Sequence, residues 1–222
     1  MHPPVNFDSV VLDALLNEWL GVQAGHPAGA LVVLGPDPQS ATGAREVLAV
    51  HPPRMLEATR RLAAASDFSP AAAGPQSSQV LWQHLIPLPE QPVVGWRRLW
   101  LEQGYQSLVR VAFALPGGRA FECFLFSKRL LRDRADAACA VWSLMNLWPQ
   151  LRQSLVEARG LLSPRERECL ALAFDGCTAR QTAERLGCSE RTVSYHLANA
   201  MSKLKVDNKL AAIQRACWMG AF

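Results

Sequence analysis

Several signatures that would announce a function directly are missing from the 222-residue sequence. Its six cysteines (Cys123, Cys139, Cys169, Cys177, Cys188, Cys217) form no Cys-x-x-Cys pair and have no His-rich companion. That argues against a metal site and for reduced thiols on apolar helix faces. No uninterrupted apolar segment approaches the roughly 18 residues of a membrane span. Met1 to Phe7 shows no basic stretch leading into an apolar run, so a cytoplasmic protein without a membrane partner is expected. A nucleophile elbow, a phosphate-binding Gly loop, metal-ligand spacing and paired carboxylates are all absent, so no enzyme is expected. Leu31-Val-Val-Leu-Gly35 ends without the Asp that a phosphorylated receiver domain would place after an early strand, which weakens that reading too.

What the chain does have is apolar material: half of it is hydrophobic and 19% is charged, the balance of a packed globular protein. Its length suggests a larger domain plus a small module, divided here at 1–159 and 160–222. The net charge of +4 is unevenly placed, with 14 Lys/Arg against 13 Asp/Glu before residue 160 and 9 against 6 after it. A modest C-terminal excess suits a nucleic-acid partner without proving one.

Periodicity predicts an opening helix over 5–22, capped by Asp8 or Ser9, and a buried strand over 30–34 ended by Gly35-Pro36. A helix over 54–65 and a Ser/Pro/Ala/Gly-rich loop over 66–78 follow. A β-like stretch over 80–88 and a helix over 96–103 come next, then two strands, 107–115 and 120–127, about the hairpin signal Pro116-Gly117-Gly118. A helical pattern then runs over 133–159, with Pro149 expected to kink or divide it. Trp82, Trp96, Trp100, Tyr105, Phe113 and Phe124 could line a cavity or simply form core. Lys128, Arg129, Arg132 and Arg134 read as a solvated run or an aid to DNA binding.

The C-terminal segment is the most informative. Ser163-Pro164-Arg165-Glu166 reads as N-cap, first-turn proline and capping-box carboxylate. That helix should end near Gly176, a second should run from Thr178 to Leu186 and stop at Gly187, and a third should start at Ser189 and continue to Leu204. Two short helices joined through a glycine turn are the layout of a helix-turn-helix. In the third helix Val193, Leu197, Ala200, Met201 and Leu204 share one stripe, which should face the core. Arg191, Ser194, Tyr195, Ala198, Ser202 and Lys205 lie opposite: small and polar groups for close approach, with Arg191 and Lys205 able to reach phosphates or base edges.

Leu162-Ser-Pro-Arg-Glu-Arg-Glu-Cys-Leu170, Gly176-Cys-Thr178, Ala183-Glu-Arg-Leu186, Ser189-x-x-Thr192-Val193-x-x-His196 and Asn199 to Leu204 resemble the LuxR-type (GerE-like) DNA-binding domain. The resemblance implies base reading by Thr192, Ser194, Tyr195 and Ala198 and backbone contacts from Thr178, Arg180, Asn199 and Lys203, beside the N-cap Ser189. It also implies a fourth helix over 209–219 that pairs two such domains. Where the family has Glu-Ile-Ala, this chain has Gln181-Thr182-Ala183, which predicts a small loss of packing at Thr182. His196 is either a packed helix-side residue or a DNA contact.

The N-terminal region is similar, in sequence order, to the autoinducer-binding domain of quorum-sensing LuxR regulators. The similarity is carried by His51-Pro52-Pro53 before a helix, by Trp82, and by Gly104-Tyr105-Gln106-Ser107 before the hairpin. It implies an α+β architecture: an α-β-α sandwich sensor followed by an all-α four-helix helix-turn-helix domain. The positions implied for a ligand are Met55, Thr59, Asp67, Trp82, Trp96, Tyr105 and Leu108. Met55 and Thr59 stand where the family carries a Trp and a Tyr, and Leu108 where it carries a Gly, so the site departs from the acyl-homoserine lactone pattern. The expectation is a DNA-binding transcriptional regulator, a homodimer on double-stranded DNA, with no cofactor beyond a small-molecule signal. The alternative is a ligand-independent regulator that dimerises constitutively or pairs with another LuxR-type protein.

Overall fold

The computed structural model describes residues 10–21, 28–37, 44–65, 79–86 and 95–222. The proposed caps Asp8 and Ser9, the 66–78 loop and Asp67 lie outside them. The chain divides into two compact units, Met1–Leu155 and Val156–Phe222.

The first unit is built on a five-stranded antiparallel sheet ordered β2-β1-β5-β4-β3, from β1 (Ala30–Pro36), β2 (Arg45–His51), β3 (Gln79–His84), β4 (Ser107–Leu115) and β5 (Arg119–Ser127). Because side chains alternate along a strand, the sheet has two apolar faces. One carries Leu31, Val33, Val109, Val111, Phe121, Cys123 and Leu125 and packs against α1 (Val10–Gly21) through Leu16 and α4 (Arg134–Arg159) through Ala140, Leu144, Leu147 and Leu151. The other carries Ala30, Val32, Leu34, Leu108, Phe124 and Phe126 and packs against a short 3-10 turn (Pro53–Met55), α2 (Leu56–Ala64) and α3 (Gly95–Glu102). This is an α-β-α sandwich. Covering on both sides explains why β1 is a continuous apolar run, buried along its whole length.

Three expectations change. Gly35-Pro36 does not end β1, which pairs on through Pro36 with Arg45. At Gly35 a Cβ would stand 2.5 Å from Leu48 Cδ1 and 3.1 Å from Phe121 Cε1, so any larger residue there would have to displace those side chains. Pro149 does not divide α4, which runs unbroken from Arg134 to Arg159. The strand Arg45–His51, which the sequence pattern did not suggest, holds one edge of the sheet. The thiols are also not uniformly core: Cys123, Cys169 and Cys177 are buried, but Cys139 and Cys188 are exposed.

Candidate nucleic-acid interface and candidate ligand layer

Four helices make the second unit: α5 (Pro164–Phe174), α6 (Ala179–Leu186), α7 (Glu190–Leu204) and α8 (Lys209–Trp218). Every start is set by a side chain that takes up an otherwise unbonded backbone N–H. Ser163 accepts from the Glu166 amide and Thr178 from the Gln181 amide, each within a reciprocal capping box. Ser189 accepts from the Thr192 amide and Asn208 from the Ala211 amide. Gly187 ends α6 in the left-handed region (φ 64°), so the chain reverses directly into α7.

Val193, Ala200 and Leu204 of α7 are buried: Val193 meets Cys169 and Ala183, and Ala200 and Leu204 meet Leu170, Ala212 and Ala216. This fixes which side of α7 faces outward. There Arg191, Ser194, Tyr195, Ala198, Ser202 and Lys205 are all exposed, Tyr195 by 63%. The helix closes at Lys205 in a left-handed conformation (φ 54°), and Arg215 of α8 donates to the Leu204 and Lys205 carbonyls.

One polar contact ties α5 to α7. Glu166 is 3% exposed, and its Oε2 accepts from the Ser163 amide at 2.8 Å and from Lys203 Nζ at 2.8 Å. Burial pushes the Glu166 carboxyl up, but the hydrogen bonds and charge of Lys203 and Ser163 outweigh it and hold the group below its usual range.

The model for "Bacterial regulatory proteins, luxR family" matches residues 160–216. Residues 160–216 form a luxR-family domain. The transcriptional activator protein LuxR of Aliivibrio fischeri (strain ATCC 700601 / ES114) is 37% identical over 79 residues, which cover 36% of this chain and 32% of that protein. The transcriptional regulatory protein DesR of Bacillus subtilis (strain 168) is 30% identical over 129 residues, 54% of this chain and 64% of that one. The chain thus spans about a third of the LuxR protein it matches. Escherichia coli SdiA, a solved structure, is 16% identical with a TM-score of 0.40, over 95% of this chain and 91% of that one.

Within the LuxR-type domain most of the expected contact residues fall into two groups. Arg191, Ser194, Tyr195 and Ala198 are exposed and sit together on α7, and Lys205 is exposed at its left-handed C-cap. Thr178, Ser189, Thr192, Arg180 and Lys203 already have intramolecular partners: Thr178 and Ser189 are caps, Thr192 Oγ1 is 2.8 Å from Ser189 Oγ, Arg180 donates to Glu184 at 3.1 Å, and Lys203 holds Glu166. Asn199 and His196 are half-buried, and His196 lies edge-on to Tyr195. Thr182 is buried. The tie from Glu166 to Lys203 escaped sequence reasoning because it spans 37 positions and joins different helices.

The residues implied for a ligand are brought together in part. Met55, Thr59, Trp96, Tyr105 and Leu108 are all buried; Met55, Trp96, Tyr105 and Leu108 belong to the layer under α2 and α3, and Thr59 lies on α2 itself. Trp82 is a correction. It pairs with Val109 and packs on the opposite face, towards α1 and α4, because the register gives it the parity of Val109 and not of Leu108. Phe113 likewise lies on that far face, stacked on Trp148, whereas Trp100 and Phe124 belong to the α2/α3 layer. Asp67 lies outside the described residues.

The layer is dense. Trp100 stacks on Phe126 with centroids 3.5 Å apart and planes 2° from parallel, and Tyr105 meets both edge-on. Tyr105 donates to the Gly29 carbonyl at 3.3 Å; burial raises its pKa, partly offset by Arg54. Two polar atoms, Thr59 Oγ1 and Trp100 Nε1, are buried with no hydrogen-bond partner among the described residues. At its border Arg110 donates to Glu122 at 2.9 Å, and Arg45 lies 3.6 Å from the same carboxylate while donating to the carbonyls of Ala63 at the end of α2 and of its C-cap Ala65. Lys128 sits over the Tyr105 ring, and Arg129, Arg132 and Arg134 are exposed. No group of three His, Cys, Asp or Glu that could hold a metal occurs among the described residues, and none of their helices is long and apolar enough to cross a membrane.

Proposed function

We propose that the chain is a DNA-binding transcriptional regulator of the LuxR type, with its sensor over 1–159 and its helix-turn-helix domain over 160–222. It acts in the cytoplasm as a homodimer, each α7 entering the major groove of one half of a two-fold symmetric site. The observation that carries this reading is the α7 surface: Arg191, Ser194, Tyr195, Ala198 and Lys205 exposed together on a helix whose other side is locked into the core. In this reading Thr192, Ser194, Tyr195 and Ala198 read bases and Arg191, Lys205, Asn199, Thr178 and Arg180 contact the backbone, as the family resemblance implies; the exposure of Arg191, Ser194, Tyr195, Ala198 and Lys205 supports it.

The test is a binding titration on two-fold symmetric DNA across salt concentrations. Affinity should fall as salt rises, and Arg191→Ala should weaken binding about equally across sequences and reduce the salt slope by about 1 while leaving the melting temperature unchanged. Arg191→Ala protein that binds as tightly as the parent removes this assignment. Lys203→Ala is a poor substitute, because it also strips the cation from buried Glu166.

For the sensor we propose a small-molecule signal other than an ordinary acyl-homoserine lactone, held in the layer of Met55, Thr59, Trp96, Tyr105 and Leu108. Support comes from Thr59 Oγ1 and Trp100 Nε1, since a buried group without a partner costs about 1–3 kcal/mol and a ligand acceptor would remove that cost. The Trp100–Phe126 stack favours the second reading, a ligand-independent regulator that dimerises constitutively or pairs with another LuxR-type protein. Native mass spectrometry of the purified chain, with thermal melts against a panel of lactones, separates them. A different co-purifying molecule supports the proposed signal; a melt raised by a lactone restores the acyl-homoserine lactone reading and overturns it; a ligand-free chain indifferent to the panel supports the second reading.

A further inference from the structure

Three polar atoms left unmet on the α2/α3 side of the sheet share one chemistry. Gln83 pairs with Leu108, so its side chain takes that side, and its Nε2 is buried with no hydrogen-bond partner among the described residues. Arg97 Nε and Trp100 Nε1, three residues apart on α3 and so on one side of that helix, are buried in the same condition. All three are N–H donors. Two belong to side chains already in contact, since Arg97 Nη2 donates to Gln83 Oε1 at 3.4 Å. A guanidinium can only donate, so this bond takes the amide oxygen of Gln83 and leaves its NH2 as the unmet end. Arg97 also lies over the Trp96 ring, 5.5 Å from its centroid, which holds the guanidinium at this corner.

Charge points the same way. The described acids of α2, of α3 and of this face of the sheet are Glu57, Glu102 and Glu122, and each already faces a cation. Glu57 lies against Arg60 and Arg61, Glu102 against Arg98, and Glu122 against Arg110 and Arg45. Arg97 has no acid within ion-pair distance among the described residues, and Asp67 and Glu90 lie outside them. Arg54 beside the Tyr105 hydroxyl and Lys128 over its ring add positive charge to the same layer. Next to the corner the walls are apolar: Trp96, Trp100, Leu108 and Phe126.

We propose that the signal of this sensor is a small organic carboxylic acid, bound as its carboxylate at the corner of β3 and α3. Arg97 supplies the charge, and Gln83 Nε2 and Trp100 Nε1 supply further donors. A carboxylate fits because its two oxygens accept from adjacent N–H groups of a guanidinium, while the apolar walls take the rest of the molecule. A lactone ring brings acceptors but no charge, so it leaves the cation uncompensated. This rests on the small-molecule reading of the sensor given above and names the class.

The experiment uses the full chain in thermal melts with benzoate, phenylacetate and octanoate, each beside its neutral methyl ester. At least one carboxylate should raise the melting temperature, and its ester should bind more weakly by about tenfold or more. Arg97→Met should remove the response, whereas Arg98→Met, exposed and paired with Glu102 on the same helix, should keep it. A second readout needs no ligand. In chain shown by native mass spectrometry to be empty, Arg97→Met should melt about 2–4 °C above the parent, because it deletes an unmet buried donor and keeps the apolar stem. A purely structural arginine would lower it. Carboxylates and esters that act alike overturn the proposal, as do a chain indifferent to both, Arg97→Met protein that still responds, and empty Arg97→Met protein that melts below the parent. A co-purified neutral molecule also overturns the carboxylate but leaves the small-molecule reading standing; a co-purified organic acid that is lost in Arg97→Met supports both.

Discussion

In the C-terminal unit a buried charge is fully provided for. Glu166 caps its own helix, accepts from Ser163 and is met by Lys203, and each of the four helices starts on a side-chain cap. The N-terminal unit also pairs its buried Glu122, with Arg110 and Arg45, but leaves Thr59 Oγ1, Trp100 Nε1 and Trp82 Nε1 buried without a partner among the described residues. Unmet polar groups are costly and rare in native cores, so where they persist they mark either a place for something else or stability given up. The contrast separates a unit whose helix starts and buried Glu166 are met by its own side chains from one that leaves some buried polar atoms unmet.

The largest effect that can sharpen this contrast is at Trp100. It is fully buried and stacked on Phe126, so the packing should dominate over the unmet indole N–H. Trp100→Ala should cost about 3–5 kcal/mol in urea unfolding. A loss under about 1 kcal/mol would mean the layer is loosely filled and already has room for a ligand.

Next comes the Glu166 tie. Glu166→Ala removes a cap and the partner of Lys203 and should cost about 2 kcal/mol. Its pH dependence has a definite sign. The folded carboxyl sits below its unfolded pKa, so its contribution is present above the unfolded value and lost as pH falls through the folded one. The gap between parent and Glu166→Gln should therefore be full at neutral pH and close in acid, below about pH 4. A gap that widens in acid would contradict the pairing.

How much was legible follows the same divide. Caps and glycine stops act over three or four residues, and Ser163, Thr178, Gly187 and Ser189 could be read from the sequence with nearly their observed bounds. The β4–β5 hairpin was legible for the same reason: Pro116-Gly117-Gly118 is local. What depends on distant partners was not. The strand Arg45–His51 alternates weakly, because its neighbour β1 and the register shift against Val33/Leu34 of β1 decide its faces. Trp82 was grouped with Leu108 because composition gives no parity; only the pairing of Trp82 with Val109 does. On α7 the exposed residues are legible from periodicity, but the tie of Lys203 needs the position of Glu166.

The smallest effect expected is at Thr182, where the second unit departs from its own tidy pattern. The side chain is 2% exposed on α6, in a place where the family resemblance sets an aliphatic residue. Thr182→Val keeps the shape and exchanges a buried hydroxyl for a methyl, so the domain should gain stability by less than about 1 kcal/mol, read as a small rise in melting temperature. DNA affinity should not change, because α6 presents Arg180 and Gln181 outward whichever residue fills position 182. A marked destabilisation would show that the hydroxyl serves α6 as the caps serve the helix starts. The C-terminal unit would then satisfy its interior polar groups even where its sequence departs from the family, and the contrast with Thr59 and Trp100 would be sharper.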